Sequence, residues 1–201
     1  MKTRILFDIG ANNGSRWFHE LSLNQENTYV YMFEPTPYLC DVIKEKYKHL
    51  KNWFLIEKAV SNYNGKTTFN IAGHHDWGCS SLLEFKEDVD KTWYPHDPSH
   101  FKFNDSIEVD VITLESFLNK TNIPYIDYLH VDAQGSDLNV LKGLGYKINI
   151  VSKGVIEASS SAPLYKGSPT KGECISWLEN HGFTKIKIIH DNQECDIEFE
   201  R

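Results

Sequence analysis

The 201-residue sequence has no apolar run approaching the roughly 20 residues that a helix needs to cross a bilayer. It has no C-x-x-C pair. Cys40, Cys79, Cys174 and Cys195 are scattered, which argues against a zinc site and makes free thiols in a reducing compartment the default. Positive charge is scarce: 21 Lys and Arg face 28 Asp and Glu, a formal charge of −7 with a pI near 5.7. A general nucleic-acid binder needs a basic face, so that class is disfavoured. No repeat or low-complexity segment occurs, and the chain enters an apolar run at once, with no signal peptide. These absences predict one cytoplasmic domain over residues 1–201, with no membrane span and no metal site. Met1-Lys2-Thr3 leaves no room for a helix before the first strand, which reads as a domain cut from a longer polypeptide.

What is present concentrates in Ile5–Gly14. An apolar run ends in Asp8, and a turn with Gly10 and Gly14 leads into a helix-compatible segment. Glycines at such a turn let a ligand approach the backbone closely. A second apolar run, Tyr29–Phe33, ends in Glu34, about 20 residues past Gly14, an offset that suits a ribose diol. A dinucleotide fold would carry G-x-G-x-x-G with a helix N-terminus offered to a pyrophosphate. Here the spacing is D-x-G-x-x-x-G, and an acid at the strand end would repel phosphate. S-adenosylmethionine, with an ammonium, a sulfonium, a ribose diol and no phosphate, fits better. The plainer reading is a glycine turn after a core strand, with Asp8 as a helix cap.

Apolar runs near 4–9, 29–34, 53–59, 126–132 and 153–158 alternate with helical segments near 15–24, 37–48, 113–120, 136–144 and 171–181. That alternation predicts an α/β fold, Rossmann-like, with a mostly parallel sheet and helices on both faces. Thr184–His190 and Glu194–Glu200 flank a turn at Asp191-Asn192 and predict a terminal antiparallel hairpin. This is the architecture of class I methyltransferases. Residues 61–112 read as an insertion with strands at Lys66–Ala72 and Ile107–Ile112. The long stretch between them is rich in aromatics, His and Asp, and is expected to act as an acceptor loop or lid.

In open α/β sheets ligands bind beyond the carboxyl ends of the strands. Asp8, Glu34, Ala59, Asp132 and Glu157 stand at the successive predicted ends, and the acids are expected to share one crevice. Asp8–Gly14, Phe33-Glu34-Pro35, Lys58–Ser61, Ser80-Ser81, Ile126–Gly143 and Ile156-Glu157 together resemble the FkbM family of S-adenosylmethionine-dependent methyltransferases. The family's fourth-strand motif resembles I-D-x-x-K-x-D-x-E-G-x-E-x-x-x-L-x-G. Asp127, Asp132, Gly135, Leu141 and Gly143 match it, and His130, Gln134 and Asp137 depart from it.

The resemblance implies an O-methyltransferase acting on a sugar hydroxyl, a deoxyhexose or other glycan residue, and a larger glycan-assembly protein is one setting it suggests. It places Asp8, Gly10, Asn12 and Gly14 around the methionine end of the cofactor, Glu34 on the ribose, Ala59 by the adenine, and Ser81 among the cofactor residues. Asp132 would lie near the methyl group, as first choice for a general base, with Glu157 second.

His130 shares a strand face with Asp132 and could relay a proton, or be a satisfied core residue. His75, Asp76 and Trp77 are the acceptor candidates; His74-His75-Asp76 could also help Asp132 bind a divalent ion, though solvated histidines are the commoner case. Trp93, Tyr94, His96, His100, Phe101 and Phe103, with Asp88 and Asp97, would serve either an acceptor cleft or a lid over the core. The alternatives are a non-catalytic nucleoside-binding module and a methyltransferase for a non-sugar small molecule. Base methylation in nucleic acids is disfavoured, because Asp132-Ala133-Gln134-Gly135 stands where N/D-P-P-Y/F/W would be.

Overall fold

A computed structural model describes residues 3–73, 77–93 and 101–201, the side chains of Trp77 and Asp90 apart. The central sheet has seven strands. Its members are β1 (Arg4–Ile9), β2 (Thr28–Phe33), β3 (Trp53–Ile56), β7 (Tyr128–Val131), β8 (Lys153–Ser159), β9 (Lys185–Ile189) and β10 (Glu194–Glu200). They lie in the order β3-β2-β1-β7-β8-β10-β9. The first five pair in parallel, while β10 runs antiparallel to both β8 and β9.

The parity of β1 explains the layers. Phe7 and Ile9 turn to one face and join Phe33, Leu129, Val131 and Ile156. That core packs on α4 (Leu114–Thr121), α5 (Asp137–Lys142) and α6 (Lys171–Asn180) through Leu118, Leu141 and Leu178. Leu6 turns to the other face and meets Trp17 and Leu21 of α1 (Ser15–Leu23) and Ile43 and Tyr47 of α2 (Pro37–Tyr47). Buried on both faces, β1 must be apolar at nearly every position, which is why its run was legible.

Local chemistry sets the helix starts. Pro37 at the first turn of α2 needs no amide partner. The Thr113 hydroxyl caps α4 by accepting from the Ser116 N–H, and Thr170 with Glu173 forms a reciprocal capping box on α6.

The predicted strand 53–59 is two elements. β3 ends at Ile56, and Ala59-Val60 form β4, which leaves the main sheet. There β4 pairs in parallel with β6 (Phe103–Ile112), which also pairs antiparallel with β5 (Gly65–Ala72), giving a separate three-stranded sheet. The predicted insertion thus carries regular structure at both ends, and β6 begins earlier than Ile107. Its middle holds a 3-10 turn at Trp77–Cys79 and the short α3 (Val89–Thr92). Among the described residues no helix is long and apolar enough to cross a membrane.

Candidate active site

The carboxyl ends of β1, β2 and β7 meet the start of β4 around a first cleft of about 560 Å³, open to solvent. Gly10, Asn12, Glu34, Ala59 and Asp132 line it, together with Phe33, Thr36, Lys58, Phe69, Leu82 and Gln134. The turn after β1 passes so close to β7 that a Cβ on Gly10, at φ +75°, would sit 1.9 Å from the Asp132 carbonyl oxygen. Only glycine suits that position.

Glu34 is buried, and each carboxylate oxygen accepts one backbone N–H, from Asn12 at 2.9 Å and from Thr36 at 2.8 Å. Burial pushes its carboxyl up to about 7, against the pull of those donors. Each oxygen keeps a lone pair, which fits a ribose diol. Phe33, Ala59, Phe69 and Leu82 give the cleft an apolar wall suited to a flat base. Its cation, Lys58, is held by Asp110 at 2.7 Å, so the cleft offers no free basic group to a phosphate among the described residues. These residues fit S-adenosylmethionine.

Three expected cofactor residues have other tasks. The Gly14 carbonyl accepts from the buried Tyr47 hydroxyl at 2.8 Å, and a Cβ on Gly14 would press on Ile43 and Tyr47 at 3.0 and 3.1 Å. Gly14 therefore packs α2 against the loop. The buried Ser81 hydroxyl donates to the Gln134 carbonyl at 2.7 Å; its neighbour Ser80 lines the cleft instead. Asp8 is buried and 2.6 Å from His130 Nδ1, outside the cleft lining.

The acids do not share one crevice. Beyond Asp132 lies a second cleft of about 470 Å³, lined among others by Arg16, Tyr128, His130, Asp132, Glu157 and Asp196. Asp132 lines both. The loop from β7 to α5 builds this junction, with Gln134 and Gly135 both at positive φ. The Gln134 side chain donates to Asp132 Oδ1 at 2.6 Å and reaches Glu157 Oε2 at 3.4 Å. Its Oε1 lies 2.8 Å from the Tyr165 hydroxyl.

Burial dominates the titration of these acids. It raises Asp132, while Gln134 and His130 pull it back. It pushes Glu157 up to about 10, helped by Glu194, Asp132 and Asp137. It pushes Glu194 up to about 7, with Asp132 adding to the rise. Asp137, fully buried, is raised well above its ordinary value and accepts only long bonds of 3.3 Å from the Ala133 and Glu157 amides.

Among the described residues no group of three or more His, Cys, Asp or Glu side chains could hold a metal. His74, His75, Asp76, Tyr94, His96, Asp97 and His100, and the Trp77 side chain, lie outside the described residues. Trp93, Phe101 and Phe103 pack with Phe85, Leu164 and Tyr165 into a core beneath the insertion, and Trp93 Nε1 donates to the Ala162 carbonyl at 3.1 Å. Sequence reasoning missed Thr36, Lys58 and Gln134 in the first cleft and Arg16, Tyr128 and Asp196 in the second. Lys58 and Thr36 adjoin named residues, whereas the second cleft had no local signal.

The strand order, the glycine turn and the acid at the end of β2 define a class I S-adenosylmethionine-dependent methyltransferase. The family model of the methyltransferase FkbM domain matches residues 8–185, and the chain belongs to that family. The 2-O-methyltransferase NoeI of Sinorhizobium fredii is 24% identical over 168 residues, covering 81% of this chain. The chain spans 66% of that relative's length. Two solved structures share the fold at 12% identity and TM-scores of 0.53. One is a precorrin-6y C5,15-methyltransferase from Geobacter metallireducens, matched over 100% of this chain and 81% of that one. The other is Aeropyrum pernix fibrillarin with bound S-adenosyl-L-methionine, matched over 98% of this chain and 67% of that one.

Proposed function

We propose that this single domain transfers a methyl group from S-adenosylmethionine to a sugar hydroxyl, on a deoxyhexose or other glycan residue. The observation that carries the reading is the first cleft, lined by apolar Phe33, Ala59, Phe69 and Leu82, with no free cation among the described residues, and with both Glu34 and Asp132 in its wall. The 2-O-methyltransferase relative supports oxygen as the target. The buried thiols Cys40, Cys174 and Cys195 suit a cytoplasmic setting.

The cofactor supplies an electrophilic methyl group on a sulfonium. Glu34 would hold the ribose hydroxyls, Gly10 and Asn12 the methionine end, and Ala59 with Phe69 the adenine. Asp132, between the clefts, would place its negative charge near the sulfonium and orient the acceptor hydroxyl. A hydroxyl is a weak nucleophile at neutral pH, so a proton acceptor must stand beside it. Glu157 keeps its own proton there, with its carboxyl at about 10, and suits donation to a sugar oxygen better than proton abstraction.

Calorimetric titration with S-adenosylmethionine, run beside NAD and a Glu34→Ala control, tests the cofactor. Binding of the first alone, lost in the variant, is expected; binding of NAD alone overturns the reading. Release of S-adenosylhomocysteine with methyl glycosides of fucose and rhamnose then tests the acceptor class. Cofactor binding with no turnover on any glycoside, amine or phenol would favour a non-catalytic module.

A further inference from the structure

The second cleft has a feature that carboxylates alone do not explain. Asp8 on β1 and His130 on β7 are register partners, though 122 residues apart in sequence. Their side chains lie on the sheet face that α1 covers, where Trp17 also meets the Tyr128 ring edge-on. Asp8 Oδ1 is 2.6 Å from His130 Nδ1, with both side chains buried. A carboxylate only accepts, so the Nδ1 proton lies in that bond, and in the neutral imidazole Nε2 then carries the lone pair. Nε2 has no hydrogen-bond partner among the described residues, and the ring forms part of the wall of the second cleft beside Asp132 and Glu157. An imidazole oriented from behind by a buried carboxylate, with its far nitrogen free of any partner among the described residues and the residue lining a cavity, is the arrangement of a general base.

We propose that the second cleft receives the acceptor hydroxyl and that His130, positioned by Asp8, removes its proton. This rests on the methyl-transfer reading of the first cleft. As the acceptor oxygen bonds the methyl carbon, the carbon–sulfur bond breaks and its electron pair returns to sulfur. The hydroxyl proton moves to His130 Nε2, and the imidazolium formed faces the Asp8 carboxylate through Nδ1–H. Asp132, shared by both clefts, marks the point where methyl group and hydroxyl would meet. The remaining lining fits a polyhydroxylated ligand: Glu157 as a donor, Tyr128, Asp196 and Arg16 as polar partners, and Val155 and Ile189 as an apolar strip for a ring face.

The first measurement needs no acceptor. Nitrogen-15 NMR of histidine-labelled protein, with His130 assigned by its loss in His130→Ala, should give the Nδ1–H tautomer with bare Nε2 at neutral pH. Asp8→Asn should raise the Nε2–H population. An Nε2–H tautomer in the wild type overturns the proposal, whether or not the Asp8 variant folds.

The second measurement uses methyl α-L-fucopyranoside as the probe. His130→Ala should turn over about 100-fold more slowly or worse, bind S-adenosylmethionine within about twofold of wild type, and recover part of its rate with added imidazole. Full activity in that variant, or a slow variant that imidazole does not rescue, overturns the assignment. If the wild type binds cofactor but does not methylate the fucoside, the sugar reading loses its support and the tautomer alone decides the dyad.

Discussion

The two clefts on either side of Asp132 treat the same residue type in opposite ways. In the first, Glu34 is buried but accepts an N–H on each carboxylate oxygen, from the turn after β1 and from the start of α2. In the second, Glu157 stands close to Glu194, Asp132 and Asp137, and its carboxyl is pushed up to about 10 against about 7 for Glu34. Burial raises both acids; backbone donors hold Glu34 back toward its anion, while neighbouring acids push Glu157 further toward its protonated form. The first arrangement suits a diol that must be gripped, and the second a polyol that accepts as well as donates.

The comparison can be broken first at the turn that divides the clefts. Gly10→Ala would drive its methyl into the Asp132 carbonyl and should cost roughly 3 kcal/mol or more of stability, measured by urea unfolding. A loss under about 1 kcal/mol would mean that the two strand ends are not held together as described.

Glu34→Gln keeps the shape of the first cleft but removes the charge from the diol's partner. S-adenosylmethionine should bind about 10- to 100-fold more weakly, read by calorimetry at pH 8. The wild-type affinity should itself decline as pH falls through about 7, because the diol donates to the carboxylate and protonation of Glu34 competes. The limit is roughly tenfold per pH unit, and a flat profile from pH 8 to 6 would separate Glu34 from the ligand.

In the second cleft the sign for stability is set by raised folded-state values. Glu157, Glu194 and Asp137 hold protons in the folded chain that the unfolded chain has released. Their contribution is fully present below the unfolded carboxyl range and is lost as pH rises toward the folded values. Between pH 5 and pH 8 the melting temperature should therefore fall, and Glu157→Gln should flatten that fall and melt higher than wild type at pH 8. A wild-type melting temperature that rises over this range would remove the picture of crowded acids. The same linkage applies to Asp137→Asn, which replaces a carboxyl that burial keeps protonated in the folded chain: it should melt higher than wild type at pH 7 and gain less at pH 5, and a difference that does not change with pH would remove Asp137 from this group of acids.

The two regions were also unequally legible in the sequence. The turn after β1, the acid after β2 and the alanine opening β4 are local patterns, and Gly10, Asn12, Glu34 and Ala59 line one cleft. Gly14 and Ser81 belong to the same motifs but face Tyr47 and Gln134, because a motif gives a residue's place in the chain and not the direction of its side chain. The split of 53–59 was hidden, since Trp53–Ile56 and Ala59-Val60 are one apolar run whose halves pair with different partners.

By itself the sequence determined the alternation of strands and helices, the tight turn, several residues that line the first cleft, and the terminal hairpin. These depend on local spacing: the period of burial, the freedom of glycine and the offset between strand ends. Only the tertiary structure decided that the acids divide between two clefts, and that Asp8 meets His130 across 122 residues. Sheet register brings that pair together, and the left-handed backbone at Gln134 and Gly135 turns the loop beyond β7, where Gln134 reaches Asp132 and Glu157. Neither is carried by any short segment of the chain.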